Sequence, residues 1–568
     1  MKYFITTAID YTNGAPHIGH AYEKILADVL VRFQRLRGRE VFFLTGVDQH
    51  GQKVQQAAEK QGIAPQAFTD QVAQYFLKLW EQLSISYDAW AATTEEKHRR
   101  VVKNILSDLV ARDWLYKASY SGHYSIRQEQ FLTDKERGED GSFGPEWGEV
   151  VFFEEENWYF RLSRCKEWLL QFLEKHPSFV VPEFRGNELQ NAAAKVAGDL
   201  CISRPKSRLS WGIEFPFDAN FVTYVWFDAL INYISFAGYG SEDAAEKAHF
   251  EKYWPCDHHL IGKDIMAPAH GIYWPCMLHA MGFADDQMPQ LLVHGFWNSR
   301  GEKMSKSLGN IVDPKLLTDR YGASALRYYM MRDIVMGRDA DFNEERLINR
   351  YNTELSNGLG NLVQRTLSMV FRYRAGNLSS KSTDAANNCV APVLASSSMN
   401  ETLVEKASSC CAPSTPCSSS PSATLKTDFK NVTLSASFES HRQADLASIK
   451  EYCEQMETSQ VHAALETIVH LLYRANAFVD TTAPWKLAKD SAAADQLDGV
   501  LITLLQSARV AASLLMPIIP VASEEILRQL ALEPISLVGD IAIPAFPQNY
   551  VAGQPTPVFP RIVVEESQ

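Results

Sequence analysis

The chain has 568 residues, 46% of them hydrophobic and 22% charged, the make-up of a globular protein with room for several domains. A formal net charge of −13 excludes a general nucleic-acid coat, because counterion release rewards clustered Lys and Arg, so any RNA contact has to be local. No apolar run of the roughly 18–20 residues that span a bilayer is read in the sequence, and Met1–Ile9 lacks a basic-then-apolar leader, so a cytosolic location and no membrane partner are expected.

The first fifty residues read as a β-α-β unit. Tyr3–Ile9 alternates like a buried strand and Val41–Val47 is a second apolar run. Between them Ile18, Tyr22, Ile25, Leu26, Val29, Leu30, Phe33 and Leu36 recur at helical spacing, and Gly38 follows Arg35 and Arg37 as a stop. Strand, turn and helix open a Rossmann-like half, expected over 1–118. A segment at 119–221, rich in aromatic residues and in glycine turns at Gly138, Gly141, Gly144 and Gly148, reads as a small β-rich insertion. The parallel sheet resumes over 222–343, with strands at His259–Gly262 and Leu291–Phe296 and a helical stretch around His270–Met281.

From Glu344 the pattern turns helical, with long stretches at Leu347–Tyr373, Ser440–Val479 and Leu497–Leu514, so a helix bundle is expected over 344–548 and a tail over 549–568. Inside the bundle, 377–426 is dominated by Ser, Ala, Pro and Asn and is expected to be a disordered insert, since it offers too little apolar surface to order itself. Of the nine cysteines, Cys389, Cys410, Cys411 and Cys417 fall in that tract, while Cys165, Cys201, Cys256, Cys276 and Cys453 are isolated. No C-x-x-C pair occurs, so neither a disulfide framework nor a structural metal is assigned.

Two short motifs carry chemistry. His17-Ile18-Gly19-His20 sits where the first strand turns into a helix, and composition alone, with 15 His and 30 Gly, would produce H-x-G-H only ~0.02 times. Backbone N–H groups and the dipole at that helix start favour phosphate, Gly19 permits close approach of an adenine ring, and His17 and His20 can point at one ligand. Lys303-Met304-Ser305-Lys306-Ser307 lies between Gly301 and Gly309 and reads as a mobile loop. Its two lysines can meet the charge that develops on pyrophosphate when an α-phosphate is attacked.

Together these motifs resemble the HIGH and KMSKS signatures of class I aminoacyl-tRNA synthetases, and the layout from Tyr3 to about Phe546 is similar to that of the methionyl family. The resemblance implies a Rossmann-like α/β catalytic domain with an inserted connective domain, followed by an α-helical anticodon-binding bundle. It implies activation of methionine with ATP and Mg²⁺, then transfer to the 2′-hydroxyl of the terminal adenosine of tRNA(Met). The short insertion is unlike the long editing insertions of the leucine, isoleucine and valine enzymes, and the cysteinyl enzyme holds its substrate on zinc.

By the same resemblance, His17, His20, Lys303 and Lys306 are the catalytic set, and Gly19, Asp264, Lys303 and Lys306 bind ATP, with Asp264 taking the ribose hydroxyls. Ile9, Tyr11, Asp48, Trp226, Ala229, Tyr233, His270 and Trp274 line the methionine site, with Asp48 on the ammonium and Tyr11 and His270 as polar tips near sulfur. Asn357, Asn361 and Arg365, spaced i, i+4 and i+8, read anticodon bases, and Trp485 stacks one of them. The sequence departs from the family pattern in that Asp264 to His270 is one residue longer, through Ala267-Pro268-Ala269, and Ala8 and Asp10 stand where proline and tyrosine are common. Tyr120–Gly148 offers His123 and no cysteine, so a zinc-free branch is expected, and with no further module before Gln568, a monomer. Two alternatives stay open on the residues alone: another class I synthetase or nucleotidyltransferase, and a catalytically silent RNA-binding relative.

Overall fold

The computed structural model describes residues 1–125, 130–132, 136–138, 140–299, 301–304, 310–379 and 434–563. Lys306 and residues 380–426 of the Ser-rich tract, with its four cysteines, lie outside the described residues.

The chain opens with β1 (Lys2–Thr7), β2 (Asp10–Tyr11), α1 (Ile18–Leu36) and β3 (Glu40–Asp48). The expected alternation of the first strand does not hold, because every residue from Tyr3 to Thr7 is buried. A parallel strand carries cover on both faces, so an apolar run, not an alternating one, satisfies it. Helix α1 is likewise buried on most of its circumference, including Glu23, Lys24, Asp28 and Gln34. Next come β4 (Ala89–Ala92), α2 (Glu96–Ala111), β5 (Val180–Val181), α3 (Val225–Ser235), β6 (His258–Gly262) and β7 (Leu291–His294). They complete a seven-stranded parallel sheet in the order β2-β3-β1-β6-β7-β5, with β4 also on β3.

The segment 119–221 is β-rich, built on an antiparallel pair in which Leu115–Ser125 runs against Val150–Phe160. It is not one self-contained insert, however. Val180 and Val181 pair in parallel with Leu291 and Leu292, so the chain returns to the main sheet as its edge strand before leaving again. Two residues are too short to announce a strand by pattern; the exposed edge of β7 recruits them.

Helix α4 (Ala323–Asp333) leads into a nearly continuous helical run over Glu344–Arg350, Tyr351–Gly360 and α5 (Asn361–Arg374), the middle part wound with wide π-type turns. Helices α6 (Leu434–Glu457), α7 (Val461–Thr482) and α8 (Ala494–Leu515) finish the bundle. The expected single stretch from Ser440 to Val479 is broken at Ser459, where φ is +58°. The helical segment Ser491–Leu515 is in fact long and apolar enough to cross a membrane, its most apolar 18 residues having mean hydropathy 1.3, yet 83% of that stretch is buried inside the protein. It is the core helix of the bundle.

Two further expectations are corrected. Asn377–Ser379 pairs antiparallel with Asn549–Val551, so the Ser-rich tract begins with an ordered strand and the tail is tied down. Phe559 is buried against Tyr351, and Asn352 exchanges two hydrogen bonds of 2.9 Å with the backbone of Ile562. Bundle and sheet are joined at Arg327 of α4. Its guanidinium donates to Asp28 of α1 at 2.7 Å, to Leu83 O at 2.9 Å, and to Pro517 O and Ile518 O at 2.9 and 2.6 Å. Burial pushes the Asp28 carboxyl up, but Arg327 and Arg32 outweigh it and hold it below its ordinary range.

Candidate active site

Ligands of open parallel sheets bind beyond the carboxyl ends of the strands. At the ends of β1, β3, β6 and β7 two cavities adjoin, of about 340 and 450 Å³, sharing Ala8, Ile9, Tyr11, Asp264 and Ile265 as common walls.

The first cavity opens onto the start of α1. His17 caps the helix: its Nδ1 accepts from the Gly19 N–H at 3.1 Å, and His20 Nδ1 accepts from the His17 N–H at 3.1 Å. Because each Nδ1 is an acceptor, the ring proton of each histidine sits on Nε2, and the stacked rings, 3.8 Å between centroids, both border the cavity. A Cβ on Gly19 would come within 2.9 Å of the His17 ring, so what glycine spares here is the cap itself. Gly262, Asp264 and Met304 complete this wall. Lys303 lies on the short strand Glu302–Lys303 that leads into the second motif.

Beneath that cavity lies a buried charge cluster that sequence reasoning missed. Lys24 donates to Ala8 O at 2.9 Å, Asp10 Oδ1 at 2.7 Å and Glu23 Oε1 at 2.8 Å, while Glu23 Oε2 meets His294 Nε2 at 3.1 Å. Burial raises the Glu23 carboxyl, but Lys24 and His294 together outweigh it and keep it low; Asp10 is pushed by burial up to about 7 against the pull of Lys24. Asp10, Glu23 and His294 all line the cavity. The signal for His294 was present, since it ends a parallel strand and precedes Gly295. Nothing in the spacing marked Lys24, which reads as a solvated helix position.

The second cavity brings together seven of the eight residues expected for methionine: Ile9, Tyr11, Asp48, Trp226, Ala229, Tyr233 and His270. Trp274 does not line it. That indole is buried one layer back and donates to His259 Nε2 at 3.0 Å, with its ring centroid 6.0 Å from that of Tyr233. Ala267 leaves helical geometry and Met266–Tyr273 winds in wide turns, in which residues four apart do not share one face, so His270 reaches the wall and Trp274 lies behind it. His270 Nδ1 donates to Ile265 O at 2.9 Å, so Nε2 accepts from the Tyr233 hydroxyl at 2.7 Å. Burial lowers His270 to about 4. Both nitrogens are thus engaged, and the ring is a neutral wall, not a polar tip. Asp48 is buried, and its Oδ1 accepts from the His50 N–H at 3.3 Å. Gly51, at φ +111°, lets the chain turn away while the Tyr11 hydroxyl lies against it.

On the bundle, Asn357, Asn361 and Trp485 are exposed, and Arg365 is half-buried through a 3.1 Å ion pair with Asp480. Asn357 sits in the π-wound stretch and borders a separate cleft with Arg320 and Arg561, so the i, i+4, i+8 row is not a regular α-helical stripe. Among the described residues no group of three or more His, Cys, Asp or Glu is placed to hold a metal ion.

The family model for class I tRNA synthetases (M) matches residues 3–140 and 148–367, and that for the anticodon-binding domain of methionyl tRNA ligase matches 434–567. Among curated relatives, methionine–tRNA ligase of Streptococcus pneumoniae (strain TIGR4) is 37% identical, covering 100% of this chain and 78% of its own. That of Bacillus subtilis (strain 168) is 36% identical over 99% and 78%. Among solved structures, Mycobacterium tuberculosis methionyl-tRNA synthetase in complex with methionyl-adenylate superposes with a TM-score of 0.82 at 34% identity, covering 99% of this chain and 100% of that one. Its apo form gives 0.77 at 30%, covering 100% and 99%. Sheet, paired cavities, both signature motifs and full-length identity converge: the chain belongs to the methionyl-tRNA synthetase family of class I aminoacyl-tRNA synthetases, and its activity is the ATP-dependent joining of methionine to tRNA.

Proposed function

We propose that the second cavity is the methionine pocket and the first the ATP site, and that the reaction takes place across their common wall. The observation that carries this reading is the sharing of Tyr11 and Asp264 by both cavities. An amino acid whose ammonium rests on Asp48 can then turn its carboxylate toward a triphosphate laid along the start of α1. Trp226, Tyr233 and Ala229 cradle the thioether, where each sulfur-to-ring contact contributes about 0.3–1.5 kcal/mol. Asp264 accepts from the ribose hydroxyls, and Gly19 keeps the His17 cap intact beside the nucleotide.

The carboxylate attacks the α-phosphate of Mg²⁺-ATP. The Nε2 protons of His17 and His20, with Lys303 and Lys306 from the second motif, stabilise the charge passing to pyrophosphate; no covalent intermediate with the protein is needed. The tRNA is tRNA(Met), read at its anticodon by Asn357, Asn361, Arg365 and Trp485, and the enzyme acts as a cytosolic monomer without structural zinc. Pyrophosphate exchange into ATP, run with each of the twenty amino acids, tests the reading. Exchange dependent on methionine alone is expected; exchange driven by another amino acid, or none, overturns it.

A further inference from the structure

Helix α3 has two working faces. Trp226, Ala229 and Tyr233, at i, i+3 and i+7, look into the second cavity, while Asp228 and Ser235, also seven apart, look the other way. On that far face Asp228 is fully buried and both of its oxygens are used. Oδ2 accepts from His50 Nδ1 at 2.6 Å and Oδ1 from His98 Nε2 at 2.7 Å; His98 Nδ1 in turn accepts from the Ser235 hydroxyl at 2.8 Å. Three elements therefore meet at one carboxylate: the turn after β3, helix α2 through His98, and α3 itself. His50, His98, Asp228 and Ser235 line neither cavity.

The turn is where the network reaches the site. Asp48 ends β3, and its Oδ1 is held by the backbone N–H of His50. Gln49 is fixed from its own side by Thr93 Oγ1 at 3.0 Å and by the Trp211 indole at 2.6 Å. His50 is followed by Gly51 in a left-handed conformation, so no Cβ stiffens the exit from the turn. The His50 ring is buried, and among the described residues its Nε2 has no hydrogen-bond partner. Its orientation, and with it that of the peptide that aims Asp48, is set through Asp228.

We infer that Asp228 is a positioning residue: through His50 it sets the Asp48 carboxylate against the cavity face of α3, and so fixes the distance between the ammonium anchor and the side-chain pocket. This rests on reading the second cavity as the methionine site. Asparagine at 228 keeps the shape but offers one acceptor where two ring N–H groups need two, so one of the histidines loses its fixed place.

The test is steady-state pyrophosphate exchange by the full-length enzyme, with methionine and ATP varied separately. Wild-type exchange that does not depend on methionine would sink the pocket reading and leave the network untouched. Given methionine dependence, Asp228→Asn and His50→Ala are each expected to raise KM for methionine about 10-fold, as for loss of a hydrogen bond to a charged group, with KM for ATP unchanged. His50→Asn, whose amide N–H can occupy the place of Nδ1–H, is expected to recover most of that loss. If KM for both substrates moves together, if only thermal stability falls, or if His50→Asn is as impaired as His50→Ala, the inference is wrong. Should Asp228→Asn not fold, the His50 pair decides alone.

Discussion

Two regions of this molecule prepare polar groups for ligands in opposite ways. At the strand ends, Tyr233, His270, Glu23, His294 and Asp48 are buried and bonded within the protein before any substrate arrives. On the bundle, Asn357, Asn361 and Trp485 stand in solvent, and Arg365 pairs with the exposed carboxylate of Asp480. On the proposed roles, the difference follows from what each region would recognise. A small amino acid offers few atoms, so discrimination has to come from desolvated, fixed partners whose loss is costly. A splayed RNA base brings its own stacking surface and hydrogen-bonding edges to an open face, and each contact can be weak.

The sharpest way to break that contrast is at the reacting end. Lys306→Ala is expected to slow methionyl-adenylate formation about 10²- to 10³-fold, the usual cost of losing one transition-state donor. Unchanged exchange would remove that lysine from the mechanism. Asp48→Asn should cut kcat/KM for methionine about 100-fold, because truncating one side of a buried charge pair costs ~2–5 kcal/mol. An equal effect on KM for ATP would show that Asp48 acts on the fold, not on the ammonium.

The other region is tested by Trp485→Ala, expected to lower tRNA charging about 10- to 100-fold while sparing exchange, in line with ~1–3 kcal/mol for one stacked base. Equal damage to both reactions would show that Trp485 acts on the fold, not on the tRNA. A pH titration of stability sharpens the contrast from the side of the strand ends. His270 is held by burial at about 4 in the folded state, below its unfolded value near 6.5. Its contribution is therefore complete above about 6.5 and lost as pH falls toward 4, on the order of 2 kcal/mol between pH 7.5 and 5. Denaturant midpoints for the wild type and for His270→Phe check this; the variant should show the shallower acid slope. The smallest effect belongs to the exposed ion pair: Asp480→Ala frees Arg365 and should improve KM for tRNA by no more than about 3-fold, with the gain fading at high salt.

Much of the site was legible because its chemistry is carried by short contiguous runs. His17-Ile18-Gly19-His20 is a motif whose geometry is local: a helix start, its cap and two rings on one turn. Ile9, Tyr11 and Asp48 came from the family resemblance; Asp48 ends the second expected strand, while Tyr11 ends a two-residue strand that no periodicity marked. Trp226, Ala229 and Tyr233, taken from the resemblance, lie on one helix with the i, i+3, i+7 spacing of a shared face. Where these expectations slipped, a local irregularity was responsible. The wide turns of Met266–Tyr273 put His270 on the wall and Trp274 behind it, and the π-wound stretch around Asn357 bent the row on the bundle.

The sequence by itself determined the order of elements, the two signatures and the apolar faces, since helix and strand periodicity are properties of neighbours along the chain. Only the tertiary structure decided the rest. The partners of Lys24 lie 1, 14 and 16 residues away, those of Arg327 up to 299, and those of Asp228 130 and 178. A buried charge is tolerated only when opposite charge or hydrogen bonds surround it on all sides. That surrounding is assembled from distant segments by the fold, and no local pattern announces it.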